Sequence, residues 1–232
     1  MKEVVEILAL CSACTLFVAP LQDFEEIRRR KHVGDRSVLP FVCMWTCSTL
    51  WIVYGLFCGD IFPTVVTNLC GFVFSMYYCA VFAWAVESPS RKNDALNLFA
   101  GAFLMVCTVS TFCMGTFSLD PKAITDDRVR RHAGIAASAF TVVQYASPLA
   151  DFVKVFKRKS SESLSRPLAV ISLICAALWV IYGALAENWF VLVPNILGVV
   201  FSAAQFALFW RFPRNRRKSQ GSSATDVNKA IV

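Results

Sequence analysis

The chain has 232 residues, of which 56% are hydrophobic and only 17% charged, and its mean hydropathy is +0.55. That is too apolar for an ordinary water-soluble domain and excludes the polar, highly charged classes. The net charge of +7 arises from the loop distribution described below and calls for no nucleic-acid partner.

In chain order, apolar stretches run over residues 4–21, 38–58, 61–86, 95–117, 132–156, 168–186 and 189–212. Each is long enough for a helix that crosses a hydrocarbon core of about 30 Å, which takes roughly 20 residues. Lipid offers backbone groups no partners, so each span is expected to be helical. The first begins at Val4 without a basic leader and is kept as mature structure. The expected fold is therefore an all-α integral membrane protein of seven transmembrane helices.

The ten cysteines sit mostly inside these spans and read as small packing residues. His32 and His132 lie near span ends, so neither a metal site nor a cofactor is expected. Lys and Arg alternate in abundance from loop to loop. Arg28, Arg29, Arg30, Lys31 and Arg36 follow span 1, Arg91 and Lys92 follow span 3, and Lys154, Lys157, Arg158, Lys159 and Arg166 follow span 5. With the tail from Arg211, eighteen of the 23 basic residues fall on one side. The positive-inside rule predicts that side to be cytosolic, with an external or lumenal N-terminus and a polar tail over 213–232. Anionic lipid is the expected partner of Arg214, Arg216, Arg217 and Lys218.

The chain repeats itself. Pro20-Leu21-Gln22-Asp23-Phe24 returns as Pro148-Leu149-Ala150-Asp151-Phe152, and Leu50-Trp51-Ile52-Val53-Tyr54-Gly55 as Leu178-Trp179-Val180-Ile181-Tyr182-Gly183, both 128 residues on. Asn68-Leu69-Cys70-Gly71 returns as Asn195-Ile196-Leu197-Gly198 at an offset of 127. Two copies of three spans, joined directly, would be inverted; the unmatched fourth span restores a parallel arrangement, with the copies related by an axis along the membrane normal. The expected organisation is a first repeat over 1–86, a linker helix with its loops over 87–131, a second repeat over 132–212 and the tail over 213–232.

The doubled Trp-x-x-Tyr-Gly motif, Tyr145-Ala146-Ser147-Pro148-Leu149, Lys159-Ser160-Ser161-Glu162 and Pro194-Asn195-x-x-Gly198 together resemble the SWEET sugar transporters over about residues 10–212. The resemblance implies facilitative, bidirectional movement of a mono- or disaccharide by alternating access, not an enzyme. Neutral amides and aromatic faces suit such a cargo: an amide both donates and accepts, and an indole stacks on the apolar face of a sugar ring. The resemblance assigns Asn68, Asn195 and Trp179 to the substrate site and, by symmetry, Trp51; the same residues could also bond and pack between helices. Cys47 and Cys175 stand one turn before the two tryptophans, share their face and are candidates for setting pocket width.

Pro20, Pro40, Pro148 and Pro167 match the family's symmetric set of four prolines, which the resemblance implies to be hinges; Pro40 and Pro167 also fit first-turn positions. Tyr54 and Tyr182, near Asp60 and Asn188, are candidates for the external gate, although family members often carry an acid where Asn188 stands. Asp23 and Asp151 are candidates for the opposite gate through pairing with nearby Lys or Arg. No acid lies in the middle of a span, so transport without proton or sodium coupling is expected. A PQ-loop-type amino-acid transporter shares the repeat, but the Pro-Gln dipeptide is missing at Pro20-Leu21; a seven-helix receptor would not show the repeat. The plasma membrane is the expected location, with an endomembrane and a homo-oligomer left open.

Overall fold

The computed structural model describes residues 1–34, 36–115, 127–144, 152–153, 155–157, 159–161 and 164–213. Pro148 and Asp151, expected as hinge and gate, lie outside the described residues, as does the tail from residue 214. All regular structure among the described residues is helical: α1 (Lys2–Val18), α2 (Leu21–Arg30), α3 (Leu39–Cys58), a π-helical turn (Ile61–Val65) leading into α4 (Val66–Ala85), α5 (Pro89–Gly115), α6 (Asp127–Gln144), α7 (Arg166–Leu185) and α8 (Trp189–Arg211).

The break between α1 and α2 falls at Pro20, which has no N–H to give the preceding turn. There the Phe17 carbonyl takes a hydrogen bond from the Tyr78 hydroxyl at 2.7 Å. Helix α2 occupies the segment the sequence reading treats as a basic loop. It is amphipathic: Phe24 and Ile27 are buried, while Arg28 and Arg30 pair with Glu25 and Glu26 one turn back. Phe24, Phe41 and Tyr78 form an aromatic cluster beneath it.

Helix α3 is 20 residues long, enough for about 30 Å. It stops at Gly59, whose φ of +69° is costly for any residue with a Cβ. The repeated glycine of the Trp-x-x-Tyr-Gly motif has a separate role. A Cβ on Gly55 would stand 3.0 Å from the Asp60 carbonyl oxygen, and one on Gly183 would stand 2.9 Å from the backbone nitrogen of Leu192. In each repeat the second span therefore lies against the start of the third.

Within the first repeat α4 packs on α1 and α3; within the second, α8 packs on α6 and α7. Across the repeats, α1 packs on α7 and α3 on α6, a reciprocal pairing of first with second spans about an axis through the bundle. Helix α5 lies outside this ring against α3, with Trp45 stacked among Phe72, Phe99 and Phe103. Arg91 ties its start to the Gly34 and Arg36 carbonyls. Large apolar side chains such as Leu56, Leu104, Ile174 and Trp210 face outward, the pattern of a bundle whose outer solvent is lipid.

Among the described residues, six helices are long and apolar enough to cross a membrane. The expected fifth span differs from the sequence reading: α6 starts at Asp127, inside the expected linker, and carries Asp127, Arg128, Arg130 and Arg131 in its opening turns. Its apolar part begins only at His132. One end of the bundle, called here the N-terminal face, holds Lys2, the Gly59–Asp60 turn, Asp127 and the Glu187–Asn188 turn.

Candidate functional site

A cavity of about 250 Å³ opens on the pseudo-symmetry axis between both repeats. Asn68, Asn195, Trp51, Trp179, Cys47 and Cys175 all line it. Identical backbone logic places the two asparagines. Asn68 donates one amide hydrogen to the Thr64 carbonyl at 2.9 Å, and Asn195 donates one to the Val191 carbonyl at 2.7 Å. Each is four residues back along its own helix, so each amide is oriented while its other donor and its oxygen remain for a guest.

The tryptophans are buried, 8% and 9% exposed, and each stands edge-on to the tyrosine three residues later. The Trp51–Tyr54 centroids are 5.4 Å apart at 88°, and Trp179–Tyr182 are 5.6 Å apart at 89°. The symmetry ends at the indole nitrogen. Trp51 donates to the Thr141 hydroxyl at 2.9 Å, with the Cys47 sulfur 3.5 Å from the same oxygen. Thr141 corresponds to Ala13 in the repeat, so the hydroxyl that tethers Trp51 has no counterpart at the matching position. Thr141, Gln144, Ser48 and Ser172 also line the cavity; these are residues the sequence reading missed. No Asp, Glu, Lys, Arg or His is among the described lining residues.

Toward the N-terminal face the cavity meets a layer of crossed hydrogen bonds. The Tyr54 hydroxyl donates to Asn188 Oδ1 at 3.0 Å, and the Tyr182 hydroxyl donates to Asp60 Oδ2 at 2.8 Å. Each acceptor also fixes the start of the third span of its own repeat: Asp60 accepts from Thr64 at 2.6 Å and Asn188 from the Val191 N–H at 3.3 Å. Asn188 thus takes the acceptor place that an acid would fill, and Glu187 points to solvent in the turn. Beyond the tyrosines lies a charged vestibule of about 620 Å³ with Lys2, Glu6, Arg130 and Arg131 on its walls.

The remaining candidates are distributed differently. Pro40 and Pro167 stand second in α3 and α7, where a proline forfeits no intrahelical bond. Pro20 marks the α1–α2 break. Asp23 is exposed and makes no ion pair among the described residues. At that end Glu25 accepts from the Tyr77 hydroxyl at 2.6 Å and pairs with Arg28 at 2.7 Å, and Glu26 pairs with Arg30.

A family model described as "Sugar efflux transporter for intercellular exchange" matches residues 3–89 and 132–217. The chain belongs to the SWEET family. Among its relatives, the sugar transporter SWEET1 of Homo sapiens is 30% identical over 204 residues, covering 88% of each chain. That of Mus musculus is 29% identical over 210 residues, covering 88% of this chain and 90% of the relative. The solved structure of a eukaryotic SWEET transporter superposes with a TM-score of 0.79 at 22% identity, covering 92% of this chain and 97% of that one. The fold is thus the 3+1+3 membrane bundle of this family, a family of transporters and not of enzymes. Within it, the symmetric cavity described above is the candidate substrate site.

Proposed function

We propose that the chain moves a neutral sugar across a membrane through this cavity, by facilitative alternating access. One observation carries the reading: two equivalent amides and two equivalent indoles converge on a cavity whose described wall holds no carboxylate, imidazole, ammonium or guanidinium group. An uncharged polyol finds donors, acceptors and stacking faces there, whereas a zwitterionic amino acid would leave both charges unmatched in a low-dielectric site. That weighs against the PQ-loop-type alternative. At about 250 Å³ the space lies below the range of roughly 300–1,000 Å³ for sites of drug-sized ligands, which favours a monosaccharide over a disaccharide. Asn68, Asn195, Trp51 and Trp179 contact the sugar in this reading, Cys47 and Cys175 set the width, and Tyr54 and Tyr182 close the N-terminal face. Pro20 serves as a hinge between α1 and α2.

The deciding experiment is uptake and efflux of labelled glucose, fructose, galactose and sucrose in cells without their own sugar carriers. Sugar flux above control in both directions is expected; flux of a neutral amino acid with none of any sugar would transfer the chain to the alternative. Because no carboxylate or imidazole among the described residues lines the cavity, transport is expected to follow the sugar gradient alone. Accumulation in vesicles against that gradient, lost on addition of an ionophore, would refute uniport. The basic loops support an N-terminal face that is external or lumenal. With Ser90→Cys and Thr125→Cys introduced singly in a cysteine-depleted background, only the latter is expected to react with an impermeant reagent from outside.

A further inference from the structure

The wall of the cavity includes one helix that its own sequence breaks. Pro194 lies inside α8 and is fully buried. It has no N–H, so the carbonyl of Phe190, four residues earlier, loses its helical donor. That carbonyl is not orphaned: the Ser138 hydroxyl of α6 donates to it at 2.8 Å. A serine in mid-helix ordinarily turns back on the carbonyl of its own preceding turn; Ser138 instead reaches across to the neighbouring helix.

The surroundings fit that bond. Phe190 sits directly over Gly134, where a Cβ would come within 2.6 Å of the ring, so α8 approaches α6 as closely as a glycine allows. Its ring also stands edge-on to Tyr54 at 5.8 Å. Two functional contacts therefore hang on the turn that Ser138 holds: the bond that Asn188 accepts from Tyr54, and the bond to the Val191 carbonyl that orients the amide of Asn195, directly after the proline. Ser138 does not line the cavity, so any effect it has on a guest passes through α8.

We infer that Ser138 is a positioning residue for substrate, completing the proline-broken turn of α8 and thereby fixing the Asn195 amide in the cavity. The inference rests on the transport reading above. The chemistry supplies its own control, because Pro194→Ala restores an N–H that can bond the Phe190 carbonyl and makes the Ser138 hydroxyl redundant.

The test is a double-mutant cycle of Ser138→Ala and Pro194→Ala, read in two ways on the full chain: thermal unfolding in detergent and half-saturation for labelled glucose or fructose. Ser138→Ala is expected to lower the unfolding temperature and raise half-saturation about three- to tenfold at normal surface abundance, and Ser138→Thr, which keeps the hydroxyl, is expected to restore both. Adding Ser138→Ala to Pro194→Ala is expected to change neither further. Wild-type half-saturation in Ser138→Ala, or an equal penalty in the two backgrounds, overturns the inference while leaving transport in place. If the wild-type chain moves none of the sugars, the transport reading fails and the positioning role falls with it. The thermal cycle then still reports whether the Ser138–Phe190 bond exists.

Discussion

The two repeats share a shape and divide the chemistry unequally. Asn68 and Asn195, Trp51 and Trp179, and Tyr54 and Tyr182 occupy equivalent places with nearly equal distances and angles. Around them the equivalence fails. Tyr182 meets the carboxylate of Asp60 while Tyr54 meets the neutral amide of Asn188, and Trp51 is tethered by Thr141 while the matching position near Trp179 is Ala13. Near each proline a carbonyl is also held by a hydroxyl from another helix, Phe17 by Tyr78 in the first repeat and Phe190 by Ser138 in the second. Residues that must shape a common pocket are kept in pairs, and residues that tune the two halves are not.

The strongest way to break the comparison is to remove one amide at a time. Asn68→Ala and Asn195→Ala are each expected to reduce labelled-sugar uptake to background with surface abundance near that of the parent. Each substitution removes at least two hydrogen bonds to the guest, at roughly 0.5–1.5 kcal/mol apiece, a several-fold to more than hundredfold loss of affinity. Uptake at the parental level in either variant would sink the symmetric pocket. A chain retained inside the cell would mean that the amide holds the bundle rather than the sugar.

How far all this was legible in the sequence depends on whether a residue has a twin. Asn68, Trp51 and Cys47 could be singled out because Asn195, Trp179 and Cys175 repeat them at an offset of 127 or 128, and all six line one cavity. Thr141, Ser138 and Tyr78 have no such twin and are single hydroxyls in apolar runs, so only the packing of one helix on another brings out their partners. Charge masked two boundaries. The spacing of Leu21, Phe24 and Ile27 was hidden by the arginines that follow, and the start of α6 by Asp127, Arg128, Arg130 and Arg131. Asp23 drew notice because it is repeated, but the carboxylates bonded at that end include Glu25, whose counterpart is Val153.

A sharper probe compares the two tyrosines. Tyr182→Phe removes a hydrogen bond to a carboxylate and Tyr54→Phe one to an amide; the former class contributes about 1.5–3 kcal/mol and the latter about 0.5–1.5 kcal/mol. Both should shift the chain toward a state open at the N-terminal face, Tyr182→Phe by roughly ten- to hundredfold and Tyr54→Phe by roughly two- to tenfold. Cys47 and Cys175 line the cavity behind the tyrosine layer, so their modification by an impermeant thiol reagent, followed by mass spectrometry of the peptides, reports that opening. Equal labelling rates in the two variants would show that the charge on Asp60 adds nothing to closure.

The smallest expected effect comes from making the repeats alike. Asn188→Asp gives Tyr54 the same kind of acceptor that Tyr182 already has, which strengthens its bond by about 1 kcal/mol. The cost is a second carboxylate on the layer. In a water-filled vestibule the repulsion from Asp60 stays below about 1 kcal/mol at any separation beyond roughly 5 Å, and Lys2, Arg130 and Arg131 on the same walls offset it. The bond therefore wins, and labelling of Cys47 and Cys175 from the N-terminal face is expected to slow about threefold at neutral pH. The sign with pH follows from the new group: a carboxylate accepts the tyrosine proton strongly only while ionised, so the slowing should fade as that face is acidified toward about pH 4, near the ordinary aspartate value. Slowing that persists unchanged at low pH would mean that the substitution acts through the shape of the turn and not through the charge of the acceptor.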